Sequence, residues 1–198
     1  MILYSFRRCP YAMRARMALR YSQVPISVVE VSLKAKPAEM LALSGKGTVP
    51  VLDLGVEGVI DESLQIMLWA LGQNDPEDWQ RIGNPLLQRE MADVIRYNDE
   101  VFKGHLNHYK YAERYPEQPM AHYREQGCVF LRQLDERLHQ HRFLFGEHLS
   151  LADVAVAPFI RQFRAVDPQW FVQSPYGALE QWIKAFLDTT LFKAIMAK

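Results

Sequence analysis

Apolar residues in the first third of the chain follow two different periods. Residues 1–5 and 27–31 are short runs rich in β-formers. Between them, residues 10–22 carry Met13, Met17 and Ala18 at helical spacing, with Tyr21 continuing the face. Strand, helix and strand in so short a stretch form a βαβ unit, whose strands run parallel. A short helix near residues 37–43 comes next. Residues 50–54 and 56–60, separated by Gly55, then read as an antiparallel pair, and a helix opening at Glu62 or Ser63 carries Leu64, Met67, Leu68 and Leu71. The predicted order over residues 1–73 is β-α-β-α-β-β-α.

Residues 72–85 hold Gly, Asn, Asp and two Pro without periodicity, which places an interdomain linker at 74–85. Beyond it the strand signals stop. Residues 86–111 and 120–141 each carry an apolar stripe at three-to-four spacing, whereas 151–166 and 178–187 are more uniformly apolar and belong inside a bundle. Residues 86–198 therefore read as an all-helical domain.

Composition narrows the partners. The 198 residues are 49% hydrophobic, enough for two modest cores, and 23 basic side chains balance 23 acidic ones. Without a net field of either sign, neither nucleic acid nor an anionic membrane is an expected partner. No apolar run is long enough to span a bilayer, and residues 1–11 lack the apolar stretch of a signal peptide, so the expected compartment is the cytoplasm. The two cysteines, Cys9 and Cys128, lie far apart, which excludes a disulfide scaffold or a four-cysteine zinc site within one chain.

Cys9-Pro10-Tyr11-Ala12 stands after a strand and opens a helix. Pro10 suits the first helical position, where its missing N–H costs nothing. The Cys9 sulfur then sits ahead of unpaired backbone N–H groups and the positive end of the helix dipole. A thiolate there is stabilised, and Arg7, Arg8 and Arg14 add positive potential. Ala12 occupies the place of a dithiol enzyme's resolving cysteine, so the resolving thiol must come from outside. Glutathione, the abundant small thiol of most cytosols, is the candidate, through a Cys9–glutathione mixed disulfide. Cys128 shares a stripe with Leu131, Leu134 and Leu138 and reads as core.

The chain resembles the glutathione transferase superfamily along essentially its whole length. Cys9-Pro10-Tyr11-Ala12 with Arg14 and Arg16 looks like the cysteine-type, omega-like branch, and residues 33–37 (Leu-Lys-Ala-Lys-Pro) are similar to that branch's segment before the second helix. Val49-Pro50-Val51-Leu52 resembles the superfamily's cis-proline strand, Glu62-Ser63 its acidic-serine pair, and Ser150-Leu151-Ala152-Asp153 its capping motif in the helical domain. Their order and spacing together make the likeness specific. The resemblance implies a thioredoxin-like domain joined to a helical bundle, an active site in the cleft between them, and a homodimer.

Each segment also has an expected physical task. The Val49 N–H and C=O, turned outward by a cis bond to Pro50, would pair with an extended tripeptide such as glutathione. Its γ-glutamyl carboxylate suits the helix N-terminus at Ser63, Glu62 suits its ammonium group, and Lys36 suits the glycyl carboxylate. Ser150 and Asp153 form a capping arrangement and are assigned to folding.

Tyr11 is a hydroxyl beside the thiol, and Tyr4 and Ser5 lie near the place where many members hold the glutathione thiolate. Tyr97, Phe102 and Tyr109 are candidates to line the co-substrate side of the site. The pairs His105/His108 and His139/His141 lack partners at metal-ligand spacing, so no metal is expected. The expected activity is glutathione-dependent thiol transfer or reduction, including dehydroascorbate reduction, with conjugation of glutathione to electrophiles as its close variant. The alternative is a non-catalytic member of the fold that binds partners, resembling the stringent starvation proteins or the chloride-channel-like relatives.

Overall fold

The computed structural model describes residues 1–197. Its first elements are β1 (Ile2–Ser5) and α1 (Pro10–Tyr21). Pro10 opens α1 with a preset φ. The helix closes where Gln23 turns left-handed (φ 57°) and the Val24 N–H reaches back to the Leu19 carbonyl at 3.0 Å. Next come β2 (Ser27–Glu30), α2 (Ala38–Leu43), β3 (Val51–Asp53), one 3₁₀ turn at Gly55–Glu57, β4 (Val59–Ile60) and α3 (Ser63–Gln73). β4 is shorter than the run at 56–60 predicted, because Gly55 (φ 68°) and Gly58 (φ 109°) both turn left-handed and the chain coils between them.

The sheet order is β2-β1-β3-β4. β1 and β2 are parallel, with Ile2 opposite Ser27, while β1–β3 and β3–β4 are antiparallel. Tyr4 and Val51 face each other across the β1–β3 ladder and join Val31, Met40 and Val49 in one buried cluster, against which Cys9 packs. One residue along, Leu3 and Leu52 point to the opposite face and are wholly buried, so both faces of the sheet are covered at β1 and β3, while the edge strand β2 is exposed. α1 packs on α3.

The helical elements are α4 (Pro85–Tyr97), a wide π turn at Asn98–Phe102, α5 (Lys103–Lys110), a 3₁₀ turn at Ala112–Arg114, α6 (Met120–Leu138), α7 (Leu151–Arg164), α8 (Pro168–Gln173), α9 (Gly177–Asp188) and α10 (Thr190–Met196). The predicted helix at 86–111 is thus α4 and α5 joined through the π turn. α8 and α10 have no counterpart in the sequence reading, since six or seven residues are too few to show a period.

The chain divides into two compact units: Met1–Glu77 together with α10, and Asp78–Asp188. The assignment of the whole stretch 86–198 to the helical domain therefore changes at its end, where α10 packs on α1 of the first unit. The linker expected at 74–85 is partly built into the helical unit. Trp79 is buried and its carbonyl accepts from the Leu151 N–H at 2.9 Å, while Arg81 donates to the carbonyls of His148 and Leu149 at 2.7 and 3.0 Å. No helix among the described residues is long and apolar enough to cross a membrane.

Asp153 organises the helical unit. Ser150 and Asp153 form the reciprocal cap of α7, and the wholly buried carboxylate also accepts from the Leu144 N–H at 2.9 Å and the Trp182 indole N–H at 3.0 Å. Burial pushes its carboxyl above the ordinary range, against the pull of these donors. Asp153→Ala would strand several buried donors, with an expected loss of about 3 kcal/mol or more in urea unfolding. A loss under about 1 kcal/mol would show that the donors find other partners. Gly127 gives a second test. A Cβ there would lie 2.5 Å from a Phe163 ring carbon, so Gly127→Ala should cost about 1–3 kcal/mol by overpacking, read in the same titration.

Candidate active site

The loop between β1 and α1 is held from within by Arg16. Its guanidinium is buried, donates to the Arg7 carbonyl at 2.9 Å and the Phe6 carbonyl at 3.4 Å, and bonds the Ser5 hydroxyl. Burial draws its pKa below the ordinary value, while Glu30 and then Cys9 act in the other direction. Ser5, wholly buried and engaged by Arg16, is removed from the candidate hydroxyls, and Tyr4 belongs to the core cluster.

Cys9 is the N-cap residue of α1 and gives that helix no side-chain cap. Its half-buried sulfur lies 3.7 Å from the Val49 carbonyl oxygen, and the Val49–Pro50 bond is cis. The N-terminus of α3 is built in the same way: Glu62 is its N-cap residue and makes no side-chain cap bond. The first-turn N–H groups of both helices are thus left to other partners. Ser63, buried, accepts from Arg14 Nε–H at 3.0 Å, which turns its own hydroxyl proton toward another acceptor.

Cys9, Tyr11, Lys36, Val49, Pro50, Glu62 and Ser63 line one pocket of about 480 Å³ within the first unit. The volume falls within the ordinary range for a small-molecule site. Sequence reasoning missed Asp61, which also lines it, and Lys46 beside it. Lys46 Nζ pairs with Asp61 at 2.9 Å and Glu62 at 2.5 Å, and Asp61 also accepts from the Ser44 hydroxyl at 2.7 Å. Ser44 and then Lys46 hold the Asp61 carboxyl below its ordinary value, and Glu62 and then Asp61 raise Lys46. No periodicity could have announced this cluster, because loops alone bring its members together.

The aromatic candidates stand differently. Phe102 and Tyr109 are core residues of the helical unit, with rings 5.5 and 4.7 Å from that of Phe163, and their assignment to a co-substrate surface is corrected: neither has surface to offer. The π turn carries Phe102 inward. Tyr97 is half-buried, 5.2 Å from Phe130. Among the described residues no cluster of His, Cys, Asp or Glu could hold a metal ion; His139 pairs with Asp135 at 3.2 Å and His141 with Glu147 at 3.7 Å.

Residues 3–79 match the family model for the glutathione S-transferase N-terminal domain, and residues 130–185 the one for its C-terminal domain. A probable glutathione transferase of Aplysia californica is 32% identical over 99 residues, which are 50% of this chain and 97% of that protein. The chain belongs to the glutathione S-transferase superfamily. It is also similar to a pyrimidodiazepine synthase of Drosophila melanogaster, 37% identical over 67 residues; the match spans 32% of this chain and only 28% of that relative. Among solved structures, a glutathione transferase family member from Pseudomonas fluorescens, with two glutathione bound, superposes with a TM-score of 0.82 at 18% identity, covering 98% of this chain and 91% of that one. The βαβαββα unit followed by helices is the glutathione transferase architecture.

The two thiols of this chain differ in setting. Burial pushes the Cys128 thiol up, with only partial relief from its hydrogen bond to Tyr176, whereas Cys9 borders an open pocket. Iodoacetamide on the native protein should therefore label one thiol, Cys9, with Cys128 reacting only after denaturation. Peptide mass mapping reads the outcome, and equal labelling of both would contradict the pocket geometry.

Proposed function

We propose that this chain is a glutathione-dependent thiol transferase of the cysteine type, working through a Cys9–glutathione mixed disulfide. The observation that carries the reading is the half-buried Cys9 sulfur at an uncapped helix N-terminus, in a pocket shared with the uncapped N-terminus of α3. Anions are favoured at both ends, a thiolate at one and a carboxylate at the other. A γ-glutamyl carboxylate takes the α3 terminus and the Ser63 hydroxyl, the backbone of Val49 pairs with the cysteinyl residue, and Lys36 takes the glycyl carboxylate. The ligand's ammonium group exchanges with Lys46 at Glu62, one ammonium for another at a solvent-exposed carboxylate.

In the first step the Cys9 thiolate attacks the glutathione sulfur of a mixed disulfide. The Cys9–glutathione bond forms, the old disulfide bond breaks, and the departing thiolate takes up a proton. A second glutathione, as thiolate, then attacks the glutathione sulfur held on Cys9, which releases glutathione disulfide and restores the Cys9 thiolate. Ala12 cannot intercept the intermediate, so the cycle turns on one protein thiol. The homodimer implied by the family resemblance is part of the same reading, and sedimentation equilibrium measures it.

Exposure of Cys128→Ser to glutathione disulfide should add one glutathione, at Cys9, by intact mass. Cys9→Ser should lose thiol transfer by at least about two orders of magnitude while still binding a glutathione-affinity column. Failure of the wild type to bind the column would favour the partner-binding alternative. Binding without adduct formation would favour conjugation, with Tyr11 as the hydroxyl beside the ligand's sulfur. Lys46→Met should tighten glutathione by about two- to fivefold in calorimetry, since an exposed ion pair is worth about 0–1 kcal/mol. Weaker binding would show that Lys46 supports the ligand instead of giving way to it.

A further inference from the structure

Phe6, Arg7, Arg8 and Cys9 form a β-turn, closed by the Cys9 N–H donating to the Phe6 carbonyl at 3.0 Å, with the two arginines at its tip. The turn is held in place from two sides. Arg16 donates to the Phe6 and Arg7 carbonyls, and the Arg7 N–H donates to Glu30 at 2.9 Å. The two tip side chains diverge. Arg7 lines a separate cavity of the first unit, walled by β2 and α10, which shares no lining residue with the Cys9 pocket. Arg8 is exposed and stands one trans peptide from Cys9, so their Cα atoms are about 3.8 Å apart.

A second turn, closed by the bridge between Ser32 and Ala35, brings the half-exposed Leu33 into the pocket wall and carries Lys34 on the surface. Among the described residues the side chains of Arg8 and Lys34 have no hydrogen bond or ion pair. The acids of the pocket wall, Asp61 and Glu62, stand at the start of α3 and are engaged by Lys46, while Glu30 is committed to the first turn. Charge is thus divided, with paired acids at α3 and an unpartnered cation next to Cys9. This division bears on the thiol that glutathione is joined to in the disulfide. Cys9 attacks the glutathione sulfur along the axis of the old bond, so the departing sulfur stands roughly 4 Å from that of Cys9, two disulfide bond lengths away. As the Cys9–glutathione bond forms, the electron pair of the old bond leaves on the departing sulfur, which takes a proton from water.

We propose that Arg8 selects the thiol that departs: the preferred substrate is the mixed disulfide of glutathione with an anionic thiol, over that of a neutral or cationic one. The inference rests on the thiol-transfer cycle above. An exposed guanidinium on a fixed turn discriminates by charge, so the recognised feature of the departing thiol is its carboxylate or sulfonate and not its carbon skeleton. Lys34 adds to the same field.

The probes are mixed disulfides of glutathione with 2-mercaptoethanesulfonate, 2-mercaptoethanol and cysteamine, which share a two-carbon chain and differ in charge. The rate of Cys9–glutathione adduct formation is read by rapid quench and intact mass. Each rate is divided by that of the neutral dithiothreitol with the same disulfide, which removes differences between the leaving thiols. Wild type should favour the sulfonate over the amine at least about fivefold, with the alcohol between them. Sodium chloride at about 1 M, with a screening length of roughly 3 Å, should bring that ratio toward one. Arg8→Glu should lower the ratio about tenfold, and Arg8→Lys should keep it within about twofold. Any change in the Cys9 thiolate itself is common to the three disulfides and cancels. Arg7→Glu makes the same change in net charge but faces the other cavity, and should move the ratio less than about threefold. Thermal unfolding confirms that each variant is folded, and Arg8 is exposed, so its substitution leaves the core untouched. A wild-type ratio within about twofold of one overturns the proposal, as does a ratio unmoved by Arg8→Glu or an equal effect of Arg7→Glu. No adduct from any of the disulfides, in a protein that still binds the glutathione column, sinks the thiol-transfer reading and the proposal with it.

Discussion

Every α-helix begins with backbone N–H groups that have no partner within the helix, and in this molecule two such beginnings are left without side-chain caps at one pocket. At α1 and α3 the residues that could have closed them, Cys9 and Glu62, do not. Much of the first unit keeps these two ends where they are. Arg16 lashes the Ser5–Arg7 turn ahead of Cys9, Arg14 ties α1 to α3 through Ser63, and the packing of α1 on α3 fixes their spacing. These side-chain-uncapped helix starts are the feature on which the proposed binding of anions rests.

Two helix starts of the helical unit, those of α7 and α9, are closed instead. α7 begins with Ser150 and Asp153 closing each other's backbone donors, and the same carboxylate reaches Leu144 and Trp182. Asp135 repeats the device with the Leu179 N–H at 2.8 Å. At the pocket two helix starts lack side-chain caps, whereas α7 and α9 of the helical unit begin on buried carboxylates. A carboxylate in the interior is tolerable only when its acceptor positions are filled, as those of Asp153 are.

The parts of the sequence that could be read were those in which chemistry and period coincide locally. Cys9-Pro10, with a strand before and a periodic helix after, announced a thiol at a helix start, and Val49, Pro50, Glu62 and Ser63 stood in short motifs with fixed tasks. All of these line one pocket. Lys46 and Asp61 were illegible because their meeting depends on the course of two loops, 15 residues apart in sequence. The inward placement of Phe102 and Tyr109 is illegible for a different reason. Aromatic residues on a helix look alike whether they face a ligand or a core, and only the π turn at Asn98–Phe102 shows which way Phe102 points. α8 and α10 are too short to carry a period, yet the start of α8 is marked in the sequence by Pro168 and by Asp167, which caps the Trp170 N–H at 3.0 Å.

α10 belongs with the unit that the chain begins, although the whole helical unit intervenes in sequence. In topological terms the helical unit is an insertion into a domain whose second piece follows it in the chain. On a translating ribosome α1 emerges well before α10, so the face of α1 that α10 covers stays open until the whole helical unit has been made. The order of assembly is thereby inverted: the helical unit, contiguous in sequence, can close first, and the domain that carries the thiol is completed last.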